Sequence, residues 1–405
     1  MPADRDDACL IERVVLRDYK SIAACDVRLQ PLTFLVGANG SGKSNFLDAL
    51  RFVSEALRDG LPYALRERGG LSGVLRRTGE GPTSFGMRLD FCLPGGLRGY
   101  LAFEVGGFPT TITIVREECF ISGGAIDQYY RAREGEVLDS TLPLAPSGVV
   151  DRLFLVNASG SPAFKPVFEA LSSMSFYNLN PDRIKEFLPP DPGAYLSRDG
   201  ANLPSILGKL EAENWHLKAR TESYLRQIVP GIIGVDSRMM GARETLEFRQ
   251  FVPTASEERW FTADEMSDGT LRALGILVAL FQGQPDDPRP MLVGLEEPET
   301  GLHPAATEVL VDAFREAAES RQVILTSHSP DLLDNESISD SEIIAVMSED
   351  GQSSLGPLDQ TGRSVLRDHL YTAGQLLRMH QLRPSPEAVE LNADKIDLFG
   401  KSADR

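Results

Sequence analysis

The chain has 405 residues, 42% of them hydrophobic and 25% charged, with a formal net charge of −18. That length allows one large composite domain or two lobes around a real core, and the composition excludes disorder as the default state. No run of about 18 uninterrupted apolar residues occurs, and the opening MPADRDDACL is acidic where a leader would be basic and apolar. The expectation is a cytoplasmic protein with no membrane partner. Cys9, Cys25, Cys92 and Cys119 show no CxxC spacing, so buried free thiols fit better than zinc or disulfides. A chain this acidic repels polyanions overall, and contact with DNA would need a local basic face.

In chain order, three short strands are predicted at 10–16, 27–29 and 32–36, with Asp18-Tyr19-Lys20-Ser21 turning between the first two. They deliver the chain to Gly37-Ala38-Asn39-Gly40-Ser41-Gly42-Lys43-Ser44, after which Phe46, Leu47 and Leu50 fall at helical spacing. This is strand, phosphate loop, helix. Gly37, Gly40 and Gly42 let the backbone curl so that successive N–H groups point inward, and the helix start adds its dipole. Residues Gly37, Asn39, Gly40, Ser41, Gly42, Lys43, Ser44 and Asn45 therefore read as a nucleotide cradle for ATP. Lys43 is expected to reach the β- and γ-phosphates and Ser44 to hold Mg²⁺. A glycine-rich turn before an ordinary helix would share the glycines, but not every fixed position.

Residues 60–82 are rich in Gly and Arg, including Arg66, Arg68, Arg76 and Arg77, and read as an exposed connection with a short helix. A solvated, salt-bridged loop is the favoured reading there over a phosphate contact. From 85 to 156 the pattern turns to β: FGMRLDFCL, GYLAFEV, TTITIVREECFI, IDQYYRAR and RLFLV read as an antiparallel meander. Helices are predicted at 164–177 and 203–228 around a Pro-rich connection at 181–204, then a strand pair at 234–239 and 244–251. No heptad pattern is sustained, which argues against a long coiled coil. The implied division is 10–83 for the N-terminal strands and phosphate loop, 84–157 for the β subdomain, and 158–251 for a helical lobe and strand pair. The rest is 252–350 for the second half of the core, 351–382 for a C-terminal helix, and 383–405 for a polar, loosely ordered tail.

Met266-Ser267-Asp268-Gly269-Thr270 precedes LRALGILVALF, an almost wholly apolar helix, and Ser267 is a natural N-cap. The run MLVGL then ends in Glu296 and Glu297, followed by Pro298-Glu299-Thr300-Gly301-Leu302-His303-Pro304. Two adjacent carboxylates at the tip of a core strand need a cation or a substrate to receive them. Alternation points them to different sides, one toward a metal shell and one toward an attacking water. Pro304 opens another helix, and the strand at 322–326 ends in Ser327-His328-Ser329-Pro330. His328 stands one helix beyond the carboxylate strand, where it could reach a γ-phosphate. His216, His369 and His380 read as structural, and His303 as ambiguous. A strand at 342–347 and an amphipathic helix at 362–382 complete the pattern.

Taken together, GANGSGKS, MSDGT, MLVGLEEPETGLHP and TSHS in this order resemble an ABC-type ATPase of the SMC and RecF kind. The opening 10–50 is similar to the start of stand-alone predicted ATPases of that superfamily, some of which sit in bacterial anti-phage modules, and FYNLNPDRIKEF also resembles them. The resemblance implies an α/β P-loop fold of ABC type, with a mainly parallel core sheet, an antiparallel meander and a helical lobe. It implies that Lys43 and Ser44 bind phosphate and Mg²⁺, with Glu296 as the Walker B carboxylate, Glu297 as general base and His328 as switch histidine. Ser267 and Gly269 would form the signature motif, which reads MSDGT where LSGGQ is usual, and Glu296 replaces the commoner Asp. Gln128 is one candidate for the glutamine that senses Mg²⁺ and water. The spacing between Ser44 and Ser267 is too short for SMC arms, so the chain reads as a head without arms. The implied function is ATP hydrolysis by a homodimer joined head to tail through composite ATP sites. Such a dimer would control an effector encoded nearby, nuclease-like, with DNA as a further candidate partner. The alternative is a nucleotide sensor or scaffold that turns over slowly or not at all.

Overall fold

The structure, a computed structural model, describes residues 10–77, 81–107, 112–142, 151–252, 257–283, 290–391 and 396–400. Strands β1 (Ile11–Tyr19) and β2 (Ile22–Arg28) form a hairpin, closed at Lys20-Ser21, and β3 (Leu32–Val36) runs into the glycine loop. The meander follows as β4 (Ser84–Leu93), β5 (Leu97–Gly106), β6 (Thr113–Ser122), β7 (Gln128–Arg133) and β8 (Glu136–Ser140). Then come β9 (Ser175–Tyr177), β10 (Ile232–Met240), β11 (Arg243–Val252), β12 (Glu257–Thr262), β13 (Leu292–Glu296), β14 (Gln322–Ser327), β15 (Ile343–Glu349) and β16 (Gln352–Pro357).

Thirteen of these strands make one sheet, ordered β8-β7-β6-β5-β4-β1-β2-β16-β15-β3-β14-β13-β9. The strands β15, β3, β14, β13 and β9 run parallel, as α/β crossovers require. The meander extends this sheet through β4, which pairs antiparallel with β1. Strands β10 to β12 form a separate three-stranded sheet on the helical lobe. The period-two alternation of the parallel strands sorts side chains to two cores. Leu35, Leu292 and Ile324 join Phe46, Leu50 and Phe52 on one face. Phe34, Val293, Val323 and Leu325 join Leu274, Leu310 and Phe314 on the other. The longest helix among the described residues is the 16-residue Lys43–Arg58, so no coiled-coil arm is present there. None of them is long and apolar enough to cross a membrane.

Several local readings change. RLFLV does not make a strand: Phe154–Ala158 is helical, and its first free N–H groups, from Phe154 and Leu155, donate to the Glu117 carboxylate at 2.6 and 2.9 Å. That carboxyl also accepts from Tyr130 Oη, and burial pushes its pKa up to about 7. The end of the expected helix 164–177 is instead β9, whose short apolar run pairs with β13. The expected helix 203–228 breaks at Asn214 into Leu203–Glu213 and Trp215–Ile228. That at 362–382 becomes Gln360–Arg367 and Ala373–Arg378, with His369 at positive φ between them. Cys25, Cys92 and Cys119 are buried free thiols, and Cys9 lies outside the described residues.

The arginine-rich connection is not simply solvated. The Arg68 side chain is buried, reaching Glu55 at 2.6 Å and Asp48 at 2.9 Å, and Asp48 also takes Lys20, Arg51 and the Tyr19 hydroxyl. Arg76 pairs with Asp18, whereas Arg66 lies against the exposed ring of Tyr63. Tyr19 in turn joins Phe52 and Phe85 in an edge-to-face aromatic trio. Burial alone would raise the Asp48 pKa, but the charges of Arg68, Lys20 and Arg51 outweigh it and hold the carboxyl well below the usual range. A depressed carboxyl contributes stability that is present above its unfolded value, about 3.9, and lost as pH falls toward the folded one. Asp48→Ala is therefore expected to cost about 3–5 kcal/mol by stranding buried cations. Thermal melting at neutral pH checks this, and the loss should shrink in melts run below about pH 4.

Candidate functional site

The site forms where the parallel strands end. Register sets Val36 beside Ser327 and Glu296 beside Thr326, so the C-terminal tips of β3, β14 and β13 lie in one row. In open α/β sheets that edge is where ligands bind. The loop after β3 turns back into Lys43–Arg58 with Gly40 and Gly42 at positive φ. At Gly42 a Cβ would also sit 2.2 Å from Ser353 Oγ, so conformation and space both demand glycine.

The loop is braced from below. Ser353 Oγ donates to the Ser41 carbonyl at 2.6 Å, Ser21 Oγ lies 2.7 Å from Ser353 Oγ, and Asn45 Nδ2 donates to Ser21 Oγ at 2.7 Å. The sequence reading put Asn45 among the nucleotide contacts. Its side-chain amide instead faces Ser21, and its N–H is taken by the Gly42 carbonyl, so it supports the loop rather than lining it. Ala38, Asn39 and Gly40 are exposed on the open side, and Ser44 is exposed on the first helical turn.

Lys43 is 4% exposed, and its Nζ donates to the Gly37 and Ala38 carbonyls at 2.7 and 2.9 Å. Burial lowers its pKa, opposed by the charges of Glu297 and Glu299. The ammonium is thus stationed inside the loop, facing the acidic edge of β13.

The two carboxylates part as alternation requires. Glu296 Oε1 accepts from Arg198 Nη2 at 2.9 Å. Glu297 Oε1 lies 3.1 Å from His328 Nδ1. Glu297 has φ 45°, a conformation that costs a non-glycine residue about 1–3 kcal/mol. Its N–H is held there by the Thr326 carbonyl and Oγ1, both at 3.1 Å. The turn holds a third carboxylate, Glu299, that no local pattern marks out. It is 7% exposed, its Oε1 accepts from Ser327 Oγ at 2.6 Å, its Oε2 has no partner, and burial raises its pKa. His303 caps the helix Pro304–Ala318 by accepting from Ala305 N–H.

Ser267 caps the helix Asp268–Phe281, its Oγ accepting from Thr270 N–H at 3.2 Å. Asp268 pairs with Lys185, and a Cβ on Gly269 would sit 2.4 Å from the Gly301 carbonyl. The helix start is therefore packed against the turn that leaves β13. Among the described residues the Ser267 side chain bonds only Thr270, its carbonyl takes Leu271 N–H, and no hydrogen bond links it to residues 37–44.

Gln128 cannot join this site: β7 stands eight strands from β3, on the order of 40 Å at about 4.8 Å per strand. The segment that does run beside Glu296 follows β9. Tyr177 registers with Leu295, and Asn178 N–H donates to the Arg198 carbonyl at 2.9 Å. Asn178, Asn180, Arg198 and Arg272 border a cavity of about 600 Å³ there. Arg198→Ala is expected to tighten Mg²⁺-dependent nucleotide binding about two- to fivefold, the equivalent of one half-exposed ion pair. Titration with a fluorescent ATP analogue, with and without Mg²⁺, measures it, and unchanged or weaker affinity would show that Arg198 does not compete for Glu296.

A lysine-bearing glycine loop at the end of one parallel strand, with acid and histidine on the next two, is the arrangement of a P-loop NTPase of ABC type. More narrowly, the chain belongs to the family described as "AAA domain, putative AbiEii toxin, Type IV TA system", whose model matches residues 32–97 and 165–334. The DNA replication and repair protein RecF of Porphyromonas gingivalis, in two strains, is 52% identical to it over 46 residues. That match spans 11% of this chain and only 13% of RecF. A crystal structure of an SMC head bound to the C-winged helix domain of ScpA has a TM-score of 0.55 at 15% identity, covering 88% of this chain and 99% of that one. An SMC head with an extended coiled coil, bound to the C-terminal domain of ScpA and derived from Pyrococcus furiosus, has a TM-score of 0.53 at 13% identity, with 89% and 99% covered. The fold is that of an SMC/RecF-like ABC-type ATPase.

Proposed function

We propose that this chain is an ATP-hydrolysing switch that closes head to tail on a second copy around two ATP molecules, and so controls a nuclease-like effector in DNA maintenance or anti-phage defence. The observation that carries the reading is the divided site. Lys43, Glu296, Glu297 and His328 gather at one sheet edge, whereas the capped helix start at Ser267 and Gly269 makes no bond to the loop. A second copy completes it: the Ser267 helix start of one protomer lends its N–H groups and dipole to the γ-phosphate on the other. Lys43 holds the β- and γ-phosphates, Glu297 accepts a proton from the attacking water, and His328 keeps that carboxylate aimed. Asn178, which follows β9 where it pairs with β13, would supply the polar side chain that Gln128 cannot, whereas Asn180 Oδ1 already accepts from Asp182 N–H.

The Ser44 hydroxyl and the Glu296 carboxylate are two hard oxygen donors, which suits Mg²⁺ filling its remaining positions with phosphate oxygens and water. That ion would supply charge neutralisation at the phosphates. The family description names a toxin of a toxin–antitoxin system, and the similar SMC heads are described bound to ScpA domains. Both support control of a partner protein, and the short RecF match supports a setting on DNA.

The second reading, a sensor or scaffold locked by ATP, is favoured by one feature: Arg198 occupies Glu296. Phosphate release by the wild-type chain with Mg²⁺ and ATP separates the two. Turnover is expected, and its absence with and without DNA leaves only the sensor.

A further inference from the structure

The outer face of the meander carries two adjacent cross-strand rows. Arg17, Gly86, Glu104 and Arg116 form one, and Arg88, Ala102, Glu118 and Arg131 the other. The opposite face of the same strands holds Phe85, Met87, Leu101 and Phe103 in the core. Residues 396–400, Ile-Asp-Leu-Phe-Gly, lie across the two rows, in a part of the chain expected to be loosely ordered.

The contacts are those of a peptide in a receptor. Leu398 is 1% exposed and enters a notch made by Gly86, where a Cβ would come within 2.1 Å of Leu398 Cδ1. Arg88 Nη1 donates to the main-chain carbonyls of Leu398 and Gly400 at 3.3 and 2.7 Å. Gly400 N–H donates to Glu118 Oε2 at 3.2 Å, and the Phe399 ring lies 4.1 Å from the Arg116 guanidinium. Main-chain reading, one pocketed side chain and one aromatic on a cation are how short peptides are recognised.

The groove is larger than this occupant. Beside Phe399 a space of about 520 Å³ opens, bordered by Arg17, Arg116, Arg131 and Arg133 against Glu104 and Glu118. Of residues 396–400 only Leu398 is buried, and Asp397 is exposed. A segment that merely closed the fold would fill its own groove. Arg17 pairs with Glu104 at 2.8 Å, and Arg116 and Arg131 with Glu118 at 2.6 and 3.7 Å, so four arginines against these two carboxylates leave the meander face net positive in a chain of net charge −18, which favours an acidic ligand. The Gly86 notch, which takes the Leu398 side chain, suits a peptide, and a polynucleotide has no aliphatic side chain to place there.

We propose that this face is a peptide-docking groove, filled in cis by residues 396–400. A partner protein displaces that segment with an extended stretch of the same aliphatic–acidic–leucine–aromatic pattern and further acidic residues beyond it. The inference is independent of the nucleotide site.

The test uses a fluorescein-labelled peptide of residues 394–401 and the full-length chain. Leu398→Asp, which unseats the cis segment, should bind the peptide about tenfold or more tightly than wild type, because the tethered competitor is gone. Adding Gly86→Leu should abolish that binding. No binding to Leu398→Asp, in a chain whose melting is unchanged, would overturn the proposal. On wild-type protein, excess unlabelled peptide should speed hydrogen exchange at 396–400, and no change would overturn it even if the variant fails to fold. A short DNA duplex that protects Arg116 and Arg131 where the peptide does not would assign the face to nucleic acid instead.

Discussion

Glu297→Gln is expected to lower phosphate release by about 10²- to 10⁴-fold, the range that a positioned general base supplies, while nucleotide still binds. The amide keeps the volume of the side chain and an oxygen near His328, 3.1 Å from the carboxylate in the wild type. It cannot take the proton. Glutamine meets the same left-handed backbone at φ 45°, and the bonds from its N–H to Thr326 are retained. Steady-state phosphate release and a nucleotide titration read the two effects separately. Turnover within about tenfold of wild type would remove Glu297 from the base position. Glu299 would then be the candidate, being buried, held by Ser327 and raised in pKa.

Lys43→Ala should weaken ATP binding about 30-fold to several thousandfold, the equivalent of ~2–5 kcal/mol for removing one partner of a buried charge pair. The effect is large because the ammonium is already desolvated and aimed, so binding phosphate costs little reorganisation. Removing it also leaves the Gly37 and Ala38 carbonyls without their donor, so melting must be followed alongside. Lys43→Arg should not rescue, since the 4% exposed pocket that fits a narrow ammonium has no room for a planar guanidinium. Affinity within about threefold of wild type would place the phosphates elsewhere.

What the sequence made legible was whatever is written locally. The strand, loop and helix around Lys43, the acid pair at the end of β13, the histidine after β14 and the cap at Ser267 each occupy a few consecutive residues with a physical reason for their types. Their convergence follows once strands 292–296 and 322–327 are read as parallel neighbours of 32–36. The bracing of the loop was not legible, because Ser353 meets Ser41 across 312 positions and nothing local in QSSLGP announces a strand under a phosphate loop. Arg198 on Glu296 is hidden in the same way, by 98 positions of intervening chain. Short apolar runs failed for a different reason. Ser175 to Tyr177 pairs with β13 and Phe154 to Ala158 is captured by Glu117, so tertiary partners decide what periodicity leaves open. The tail misled because composition reports average polarity, whereas docking turns on Leu398 and the absence of a side chain at Gly86.

The central claim is that the site is half a site. Light scattering of the Glu297→Gln chain with Mg²⁺ and ATP, with and without an added Ser267→Arg, tests it most directly. The arginine would place a long cation where the Ser267 helix start should meet the partner's γ-phosphate, without touching the loop that binds nucleotide in its own protomer. The expected result is a dimer for Glu297→Gln alone and a monomer once Ser267→Arg is added, with ATP affinity of the isolated chain within about threefold of unchanged. A dimer that persists with Ser267→Arg would contradict the composite site.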